Sequence, residues 1–403
     1  MKIILWILAG VVLMAAALFG IGVWMYWKNL KNEEPAYLVS FIKEKAKTKN
    51  TALVIKYNQE EIANINPETS LPMASTVKYI VALEFAKQAA AGKINPEHQV
   101  SLKELEKYYV PKTDGGAHEA WLSELKGNSV SLQQVAKGMI AYSSNANTDY
   151  LIEMLGHHQI NSNLESMNLE NHEPLYPLAS SLFIPMKLME ENNLSKKEAL
   201  TKLKELPLQE YRDMAIDIHR SWKSAPPTTE EKSQLLKKLD MDFQQIWSDR
   251  LPRSTAADYA SLMEKFNSKT YLAEDIHTHL DPVLEQLMED PRNQEWLLHA
   301  GQKGGSTAFV LTMAMYATDK DNNQTEITFL SNNLSPIEQK KLSRNMNSFQ
   351  LKLLKDEDFR EKVRQELKIA GLALSAGTII LYFKRNSGPS SLRWNHYFSF
   401  SAK

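Results

Sequence analysis

Ser75 and Lys78 stand three residues apart at the start of an apolar, alanine-rich stretch that follows Pro72. In an α-helix this spacing places both side chains on one face. A lysine that loses its proton through burial can act as the base that activates a serine hydroxyl for nucleophilic attack. The pair also fits a plainer interpretation, in which Ser75 caps the helix and Lys78 is solvated. The choice between the two depends on the motifs that accompany the pair.

Two further polar motifs follow in chain order. Ser143-Ser144-Asn145 lies in a turn between two predicted helices, and serine and asparagine are by themselves ordinary turn formers. Lys303-Gly304-Gly305-Ser306 enters an apolar predicted strand, where the glycines alone would indicate a flexible turn or an edge strand. The order of the three motifs is more informative than any one of them.

Together, Ser75-x-x-Lys78, Ser143-Ser144-Asn145 and Lys303-Gly304-Gly305 resemble the ordered motifs of the penicillin-binding protein and serine β-lactamase superfamily, in particular its class A β-lactamase-like branch. The resemblance covers roughly residues 35 to 366, and residues 251–263 look like the helix that precedes the third motif. It implies an α+β fold, in which helices flank an antiparallel sheet and a second lobe is entirely helical.

The resemblance implies a role for each residue. Ser75 would attack a carbonyl and form an acyl-enzyme, after Lys78, neutralised by burial and by neighbouring Lys303, takes its proton. Ser143 would pass that proton to the departing nitrogen. Asn145 would orient a substrate amide and hold Lys78, and Lys303 would bind a substrate carboxylate. The remaining implied binding groups are Gly304 and Gly305 along the strand edge, and the backbone N–H groups of Ser75 and Ser306 as an oxyanion hole.

Deacylation requires a group that activates water. Glu173-Pro174 lies roughly where class A enzymes carry a loop glutamate with this role, so Glu173 is a candidate catalytic base. The asparagine that should follow it is absent, and Glu173 fits a solvated loop carboxylate equally well. His172 is a second candidate.

Two other positions depart from the family pattern. Ser144 stands where class A enzymes usually carry aspartate, which predicts a looser turn. Gly304 replaces the usual threonine or serine, a hydroxyl that Ser306 or Thr307 could supply instead. The spacing from Ser143 to Lys303 exceeds that of compact family members, which predicts a helical insertion at about residues 186–250.

Composition excludes several classes of function. The chain has no cysteine, so disulfides, thiolate metal sites and a cysteine nucleophile are excluded. A net charge of −1 without a basic patch argues against nucleic acid as the main partner. The adjacent His157 and His158 point in different directions on a helix and lack a carboxylate at ligand spacing, so we expect neither a metal nor another cofactor.

The chain divides into three predicted parts. Residues 3–27 carry no charge, are long enough to span a bilayer and end in an aromatic cluster, so residues 1–28 are predicted to be a retained transmembrane anchor. A cleaved signal peptide is the alternative. Residues 29–367 form the predicted hydrolase domain, and residues 368–403 a tail of unclear role.

Periodicity predicts the elements that position the motifs. Residues 51–57 are predicted to form a buried strand, and residues 75–92 a helix that carries the serine and the lysine. Residues 309–318 and 325–332 are predicted to form a β-hairpin, and 336–367 one long amphipathic helix. Helices mixed with strands in this order indicate an α+β domain.

These observations favour a membrane-anchored, extracytoplasmic serine hydrolase of the β-lactamase type. We expect a monomer held to the cell membrane by one span, with a β-lactam or a peptidoglycan stem peptide as its partner. Two alternatives stay open at this point. One is a D-Ala-D-Ala peptidase, and the other is a cell-wall binding or sensing protein that becomes acylated without turnover.

Overall fold

The computed structural model describes residues 34–368. The predicted anchor at 1–28 and nearly all of the predicted tail at 368–403 lie outside the described residues. No helix within residues 34–368 is both long enough and apolar enough to cross a bilayer.

A five-stranded antiparallel sheet, in the order β2-β1-β9-β8-β7, forms the centre of the structure. Two short ladders, β3 with β6 and β4 with β5, stand apart from it. The predicted strand at 51–57 and the predicted hairpin, observed as β8 and β9, are confirmed. The strands are β1 Thr51–Tyr57, β2 Glu60–Ile65, β3 Leu71–Pro72, β4 Gln99–Ser101, β5 Ser129–Ser131, β6 Arg253–Ser254, β7 Leu297–Ser306, β8 Leu311–Asp319 and β9 Gln324–Ser331.

Helices surround the sheet, which confirms the predicted mixture of an antiparallel sheet with many helices. In the first half of the described chain they are α1 Ala36–Lys45, α2 Lys78–Ala90, α3 Leu102–Glu106, α4 Ala117–Ser123, α5 Leu132–Ala141, α6 Asn145–Leu155 and α7 His157–Ser166. The next are α8 Leu178–Ser181, α9 Ile184–Glu191, α10 Lys196–Glu205, α11 Leu208–Ser221, α12 Thr229–Lys238 and α13 Met241–Arg250. The last are α14 Ala256–Asn267, α15 Glu274–Leu284, α16 Pro291–Gln294, α17 Pro336–Lys355 and α18 at 357–368.

Separate apolar clusters cover the two faces of the sheet. One face packs against α1, α17 and α18, through side chains such as Ile42, Phe329 and Phe349. The other packs against α2, α14 and α15, where Tyr79 and Phe266 are fully buried. Each large apolar side chain removed from water stabilises the fold by about 1.5–3 kcal/mol. These clusters hold α2, which begins three residues after Ser75, against the sheet.

Two predicted helices differ from the observed ones. The helix predicted at 75–92 begins as a 3-10 turn over Ala74–Val77 and becomes α-helical at Lys78. The prediction of a single helix at 336–367 is wrong, because the helix is interrupted at Asp356, which separates α17 from α18. Asp356 is extended, with φ −118 and ψ 104, and its carboxylate accepts a hydrogen bond from Phe359 N at 2.9 Å. An aspartate in this position caps a new helix, and periodicity alone does not reveal it.

Helices α8 to α13 form a helical lobe, defined here as residues 178–250. Its own apolar cluster includes Phe183, Tyr211, Trp222 and Phe243. The segment that the spacing predicts to be an insertion lies within this lobe. That it is an insertion relative to compact family members stays a prediction.

Arg250, at the end of α13, ties the lobe together. Its guanidinium donates hydrogen bonds to three carbonyl oxygens at the end of α10, those of Leu203 (2.7 Å), Lys204 (3.0 Å) and Leu206 (2.6 Å). It also lies 5.6 Å from the centre of the Tyr211 ring. The last carbonyls of a helix lack partners within the helix, so this arginine caps α10 from a distance.

Replacing that cap should destabilise the protein. We expect Arg250→Ala to lower the free energy of unfolding by about 2–3 kcal/mol, because charged hydrogen bonds are lost and carbonyls lose their partners. Urea unfolding followed by circular dichroism measures the change. Arg220→Ala is the matched control, since its side chain is 71% exposed, and it should change stability by less than about 0.5 kcal/mol. Equal midpoints for the two variants would contradict this role of Arg250.

Candidate active site

Ser75 lies in the 3-10 turn that precedes α2, on the wall of a cleft of about 510 Å³. The carbonyl oxygen of Met73 fixes this turn by accepting hydrogen bonds from Thr76 N at 3.1 Å and from Thr312 Oγ1 at 2.9 Å. Ala74 adopts the left-handed region, with φ 45. The turn therefore presents the Ser75 side chain to the cleft instead of using it as a helix cap.

Strand β7 passes directly beside the serine. A Cβ atom on Gly305 would lie 2.5 Å from Ser75 N and 2.6 Å from Thr312 Oγ1, so only glycine fits at this position. Gly304 is different, since a Cβ there would meet nothing closer than Thr312 O at 3.6 Å. Both glycines were predicted to let the strand backbone lie close to a ligand, but only at Gly305 is there no room for a side chain.

Lys78 is completely buried, unlike the solvated lysine of the plainer interpretation. Its Nζ donates hydrogen bonds to Ser143 O at 2.6 Å, Asn145 Oδ1 at 2.9 Å and Ser143 Oγ at 3.3 Å. Burial and then the charge of Lys303 hold the pKa of Lys78 well below its usual range, against the opposing effect of Asp114 and Asp149. The neutral amine that a base requires is thereby favoured.

Ser143 connects the two lysines. Its Oγ lies 3.3 Å from Lys78 Nζ and 3.0 Å from Lys303 Nζ. The backbone of Ser143 has φ 69, which turns its carbonyl oxygen toward Lys78 as well. A hydroxyl between two amines can accept a proton from one neighbour and donate to another.

Lys303 enters the site from β7, where it is 4% exposed and pairs in register with Ala314 of β8. Besides Ser143, its Nζ donates to Gly304 O at 2.6 Å. Burial lowers the pKa of Lys303 to about 7. Near neutral pH both the charged and the neutral forms are therefore accessible.

Asn145 begins α6, and its side-chain oxygen is one of the acceptors that hold Lys78. Its backbone N donates to Asp114 Oδ2 at 3.3 Å. Asp114 lies in the loop before α4 and also accepts from Ala117 N at 3.1 Å. None of the three motifs includes Asp114, which the sequence marks only by the two glycines that follow it.

Glu173 is placed differently from the other predicted residues. Its Oε2 forms an ion pair with Arg212 Nη2 at 2.9 Å and accepts a hydrogen bond from Arg253 N at 3.1 Å. It is not among the residues that line the cleft, where Asp114 is the one carboxylate from the described part of the chain. The role of Glu173 as a water-activating base stays a prediction.

His172, the second candidate, is buried between protein groups. Its Nε2 lies 2.9 Å from Tyr259 Oη, and its Nδ1 lies 2.6 Å from Glu173 O. Burial lowers its pKa to about 4. Its surroundings are those of a structural histidine with both ring nitrogens in use.

The helical lobe supplies one wall of the cleft. Leu178, Gln244 and Trp247 line it opposite the end of β7. Trp247 Nε1 donates to Ser181 Oγ at 2.9 Å, which fixes the indole. Ser248 Oγ donates to Thr307 Oγ1 at 2.8 Å and so joins the lobe to the β7–β8 turn. The predicted insertion is therefore part of the site.

No group of three His, Asp or Glu side chains within residues 34–368 is arranged to hold a metal ion. His157, considered above for its pairing with His158, has its Nε2 beside Leu175 O and Asn161 Nδ2. The described side chains therefore give no support for a metal.

The assembled groups suit acyl transfer. The structure brings Ser75, Lys78, Ser143, Asn145 and Lys303 together, with the backbone of Gly305 against Ser75. A nucleophile, a buried amine and a shared hydroxyl are the components that covalent catalysis requires. The Ser75 hydroxyl makes no hydrogen bond within residues 34–368, so we expect its contact with Lys78 to form when substrate binds.

Comparison with known proteins gives one match to a family and several to solved structures. A β-lactamase from Chitinophaga pinensis is 13% identical, with a TM-score of 0.46, over 79% of this chain and 98% of its own. A β-lactamase from Sphaerobacter thermophilus is 14% identical, with a TM-score of 0.47, over 80% of this chain and 98% of its own. PBP-A, solved as an acyl-enzyme complex with penicillin G, is 14% identical, with a TM-score of 0.45, over 78% of this chain and 96% of its own.

Similarities at this level of identity and TM-score carry no information on activity. A search of the curated proteins finds no match. The family model described as "Beta-lactamase enzyme family" matches residues 36–299, which is more than half of the chain and includes the serine-lysine pair and the Ser143–Asn145 turn. This protein belongs to the β-lactamase enzyme family.

Proposed function

We propose that this protein is a serine hydrolase of the β-lactamase type, which cleaves the amide of a β-lactam or a related compound through an acyl-enzyme on Ser75. The observation that carries the proposal is the position of Ser143 Oγ between the Nζ atoms of Lys78 and Lys303, in a cleft that Ser75 lines. Two buried amines sharing one hydroxyl next to a nucleophile are costly for stability, and acyl transfer uses both.

The first half of the reaction forms the ester. Neutral Lys78 takes the proton of Ser75 as Oγ bonds to the carbonyl carbon, and the backbone N–H groups of Ser75 and Ser306 stabilise the developing oxyanion. The C–N bond then breaks, and the proton moves from Lys78 through Ser143 to the departing nitrogen. Lys303 in its charged form binds the substrate carboxylate, and Asn145 holds Lys78 in place.

The second half returns the free enzyme. A water oxygen bonds to the ester carbon, its proton passes to a base, and Ser75 Oγ leaves with a proton. In the sequence-based hypothesis Glu173 is that base. Its ion pair with Arg212 and its absence from the cleft lining favour a second candidate function with slow deacylation. That candidate is a D-Ala-D-Ala peptidase, or a cell-wall sensor that stays acylated.

Location and partners complete the proposal. Residues 1–28 would anchor the protein in the cell membrane by a single span, with the hydrolase domain outside the cytoplasm. The partner would be a β-lactam or a peptidoglycan stem peptide, bound by a monomer. The uncharged stretch at 3–27 supports the anchor, and the place of peptidoglycan outside the membrane supports the orientation.

Ser75→Ala should abolish covalent labelling. We expect penicillin G to add its full mass to the wild-type protein and nothing to this variant, because the nucleophilic oxygen is gone. Intact-protein mass spectrometry after mixing measures the adduct, and peptide mapping locates it. Ser123→Ala, at an exposed serine on α4 that does not line the cleft, is the control and should label normally. An adduct of undiminished yield in Ser75→Ala would refute the proposed function.

Acylation should depend on pH in a bell-shaped manner. The rate rises with pH as Lys78 loses its proton, and the lowered pKa of Lys78 places this limb below the range of an ordinary lysine. The rate falls again as pH passes about 7, the lowered pKa of Lys303, because the neutral amine no longer binds a carboxylate. Stopped-flow acylation with limiting substrate between pH 5 and pH 10 would measure both limbs.

A substrate with a masked carboxylate tests the assignment of the falling limb. The methyl ester of the same β-lactam should react more slowly but should lose the decline above about pH 7, since it has no charge for Lys303 to bind. A decline of equal steepness for acid and ester would show that Lys303 does not act through the carboxylate.

Glu173→Gln tests the deacylation hypothesis. If Glu173 activates the water, its replacement should lengthen the lifetime of the adduct by about 10²–10⁴-fold. Because Glu173 pairs with Arg212 and does not line the cleft, we expect a change below about threefold. The decay of the adduct, followed by mass spectrometry, decides between these outcomes. Asp213→Asn, an exposed acid on the neighbouring helix, controls for the loss of one charge.

A further inference from the structure

Ser144, the middle residue of the second motif, is buried at a junction between the catalytic groups. Its neighbours Ser143 and Asn145 hold the two lysines, whereas its own side chain points to other partners. Ser144 Oγ caps α6 by accepting a hydrogen bond from Asn147 N at 3.1 Å. The turn is therefore well fixed, and the looser turn predicted for a serine here is not what its contacts indicate.

The second partner of Ser144 is His118. His118 Nδ1 lies 2.8 Å from Ser144 Oγ, and the side chain is completely buried at the start of α4. The imidazole packs against the rings of Tyr109 and Trp121, with centroids 4.7 Å and 5.6 Å away. These rings hold it in one orientation.

The hydrogen-bonding partners around His118 indicate which of its ring nitrogens carries the proton. Asn147 Nδ2 donates to Val135 O at 3.1 Å, which leaves Asn147 Oδ1 as an acceptor without a partner, and His118 Nε2 is likewise unpartnered. A proton on Nε2 offers a donor to Asn147, whose side chain acts to raise the pKa of His118, and leaves Nδ1 free to accept from the Ser144 hydroxyl. His118 is then neutral, as its burial favours.

We propose that His118 is a positioning residue that holds the Ser143–Asn145 turn, and through it Lys78, by accepting a hydrogen bond from Ser144 Oγ. His118 itself touches neither substrate nor the reacting atoms. The inference rests on the proposed function, in which Lys78 is the base. It gives the Ser144–His118 pair the role of keeping three acceptor atoms, two of Ser143 and one of Asn145, on the buried amine of Lys78.

The charges around the pair are distributed on several elements. Lys303 on β7, Asp114 in the loop before α4 and Asp149 on α6 act on Lys78. Asp114, Glu119 and Glu106 act on His118, where they oppose the effect of burial. Replacing His118 by a neutral residue changes none of these charges, so a change in the titration of Lys78 would report the position of the turn.

The experiment combines acylation rates with a cycle of variants. His118→Ala should slow acylation of Ser75 by penicillin G about tenfold, and Ser144→Ala by a similar factor. The double variant should be no more than about twofold slower than Ser144→Ala, because Ser144→Ala, which also removes the cap of α6, already removes the hydrogen bond that His118→Ala removes. His118→Asn, whose side-chain oxygen can replace Nδ1, should stay within about threefold of wild type, whereas His118→Gln should not.

Titration of Lys78 supplies a readout that loss of stability would not move. In ¹³C-lysine NMR of the free protein, the pKa of Lys78 should rise in His118→Ala, because a loosened turn admits water to the amine. The rising limb of the acylation profile should shift to higher pH with it. His277→Asn, another buried histidine that pairs with Asp281 on α15, should alter neither.

The outcomes separate the two proposals. If wild type forms no adduct on Ser75 but the Lys78 pKa still rises in His118→Ala, the proposed function fails and the positioning role holds. If wild type labels normally and the losses of the two single variants multiply in the double variant, the positioning role fails. An unshifted Lys78 in a His118→Ala protein that circular dichroism shows to be folded would also overturn it.

Discussion

The removal of two lysine ammonium groups from water is the constraint on which the rest of this structure depends. Lys78 and Lys303 are 0% and 4% exposed and share the hydroxyl of Ser143. A buried charge is tolerated only with partners, and two like charges side by side lower each other's affinity for protons. Carbonyl, amide and hydroxyl acceptors from two separate segments, the Ser143–Asn145 turn and strand β7, keep the amines in place.

Those acceptors have to arrive from elements that are far apart in the chain. The apolar clusters on both sides of the sheet align α2 with β7, and the absence of a side chain at Gly305 lets the strand backbone meet Ser75 N. The helical lobe then closes one side of the cleft through the Ser248–Thr307 hydrogen bond. Packing thus determines how near the groups lie, and the polar contacts determine how they are oriented.

Some elements follow directly from local sequence. The strand at 51–57 and the β8–β9 hairpin were predictable because their apolar runs are bounded by turn formers. The break at Asp356 was not, since an aspartate in a polar, periodic stretch fits a helix interior as well as a cap. The contacts of Ser144 were not predictable for a similar reason, because its partner His118 lies in the first turn of a helix elsewhere in the chain and no local pattern links the two residues.

By itself, the sequence identified five candidate groups for acyl transfer and their order, because residue type and spacing suffice to suggest a kind of chemistry: Ser75, Lys78, Ser143, Asn145 and Lys303. Only the tertiary structure decided that Lys78 is buried, that Gly305 rather than Gly304 is sterically required, and that Glu173 pairs with Arg212 away from the cleft. Burial, close approach and charge pairing join residues distant in sequence, and a linear pattern carries no measure of the distance between them.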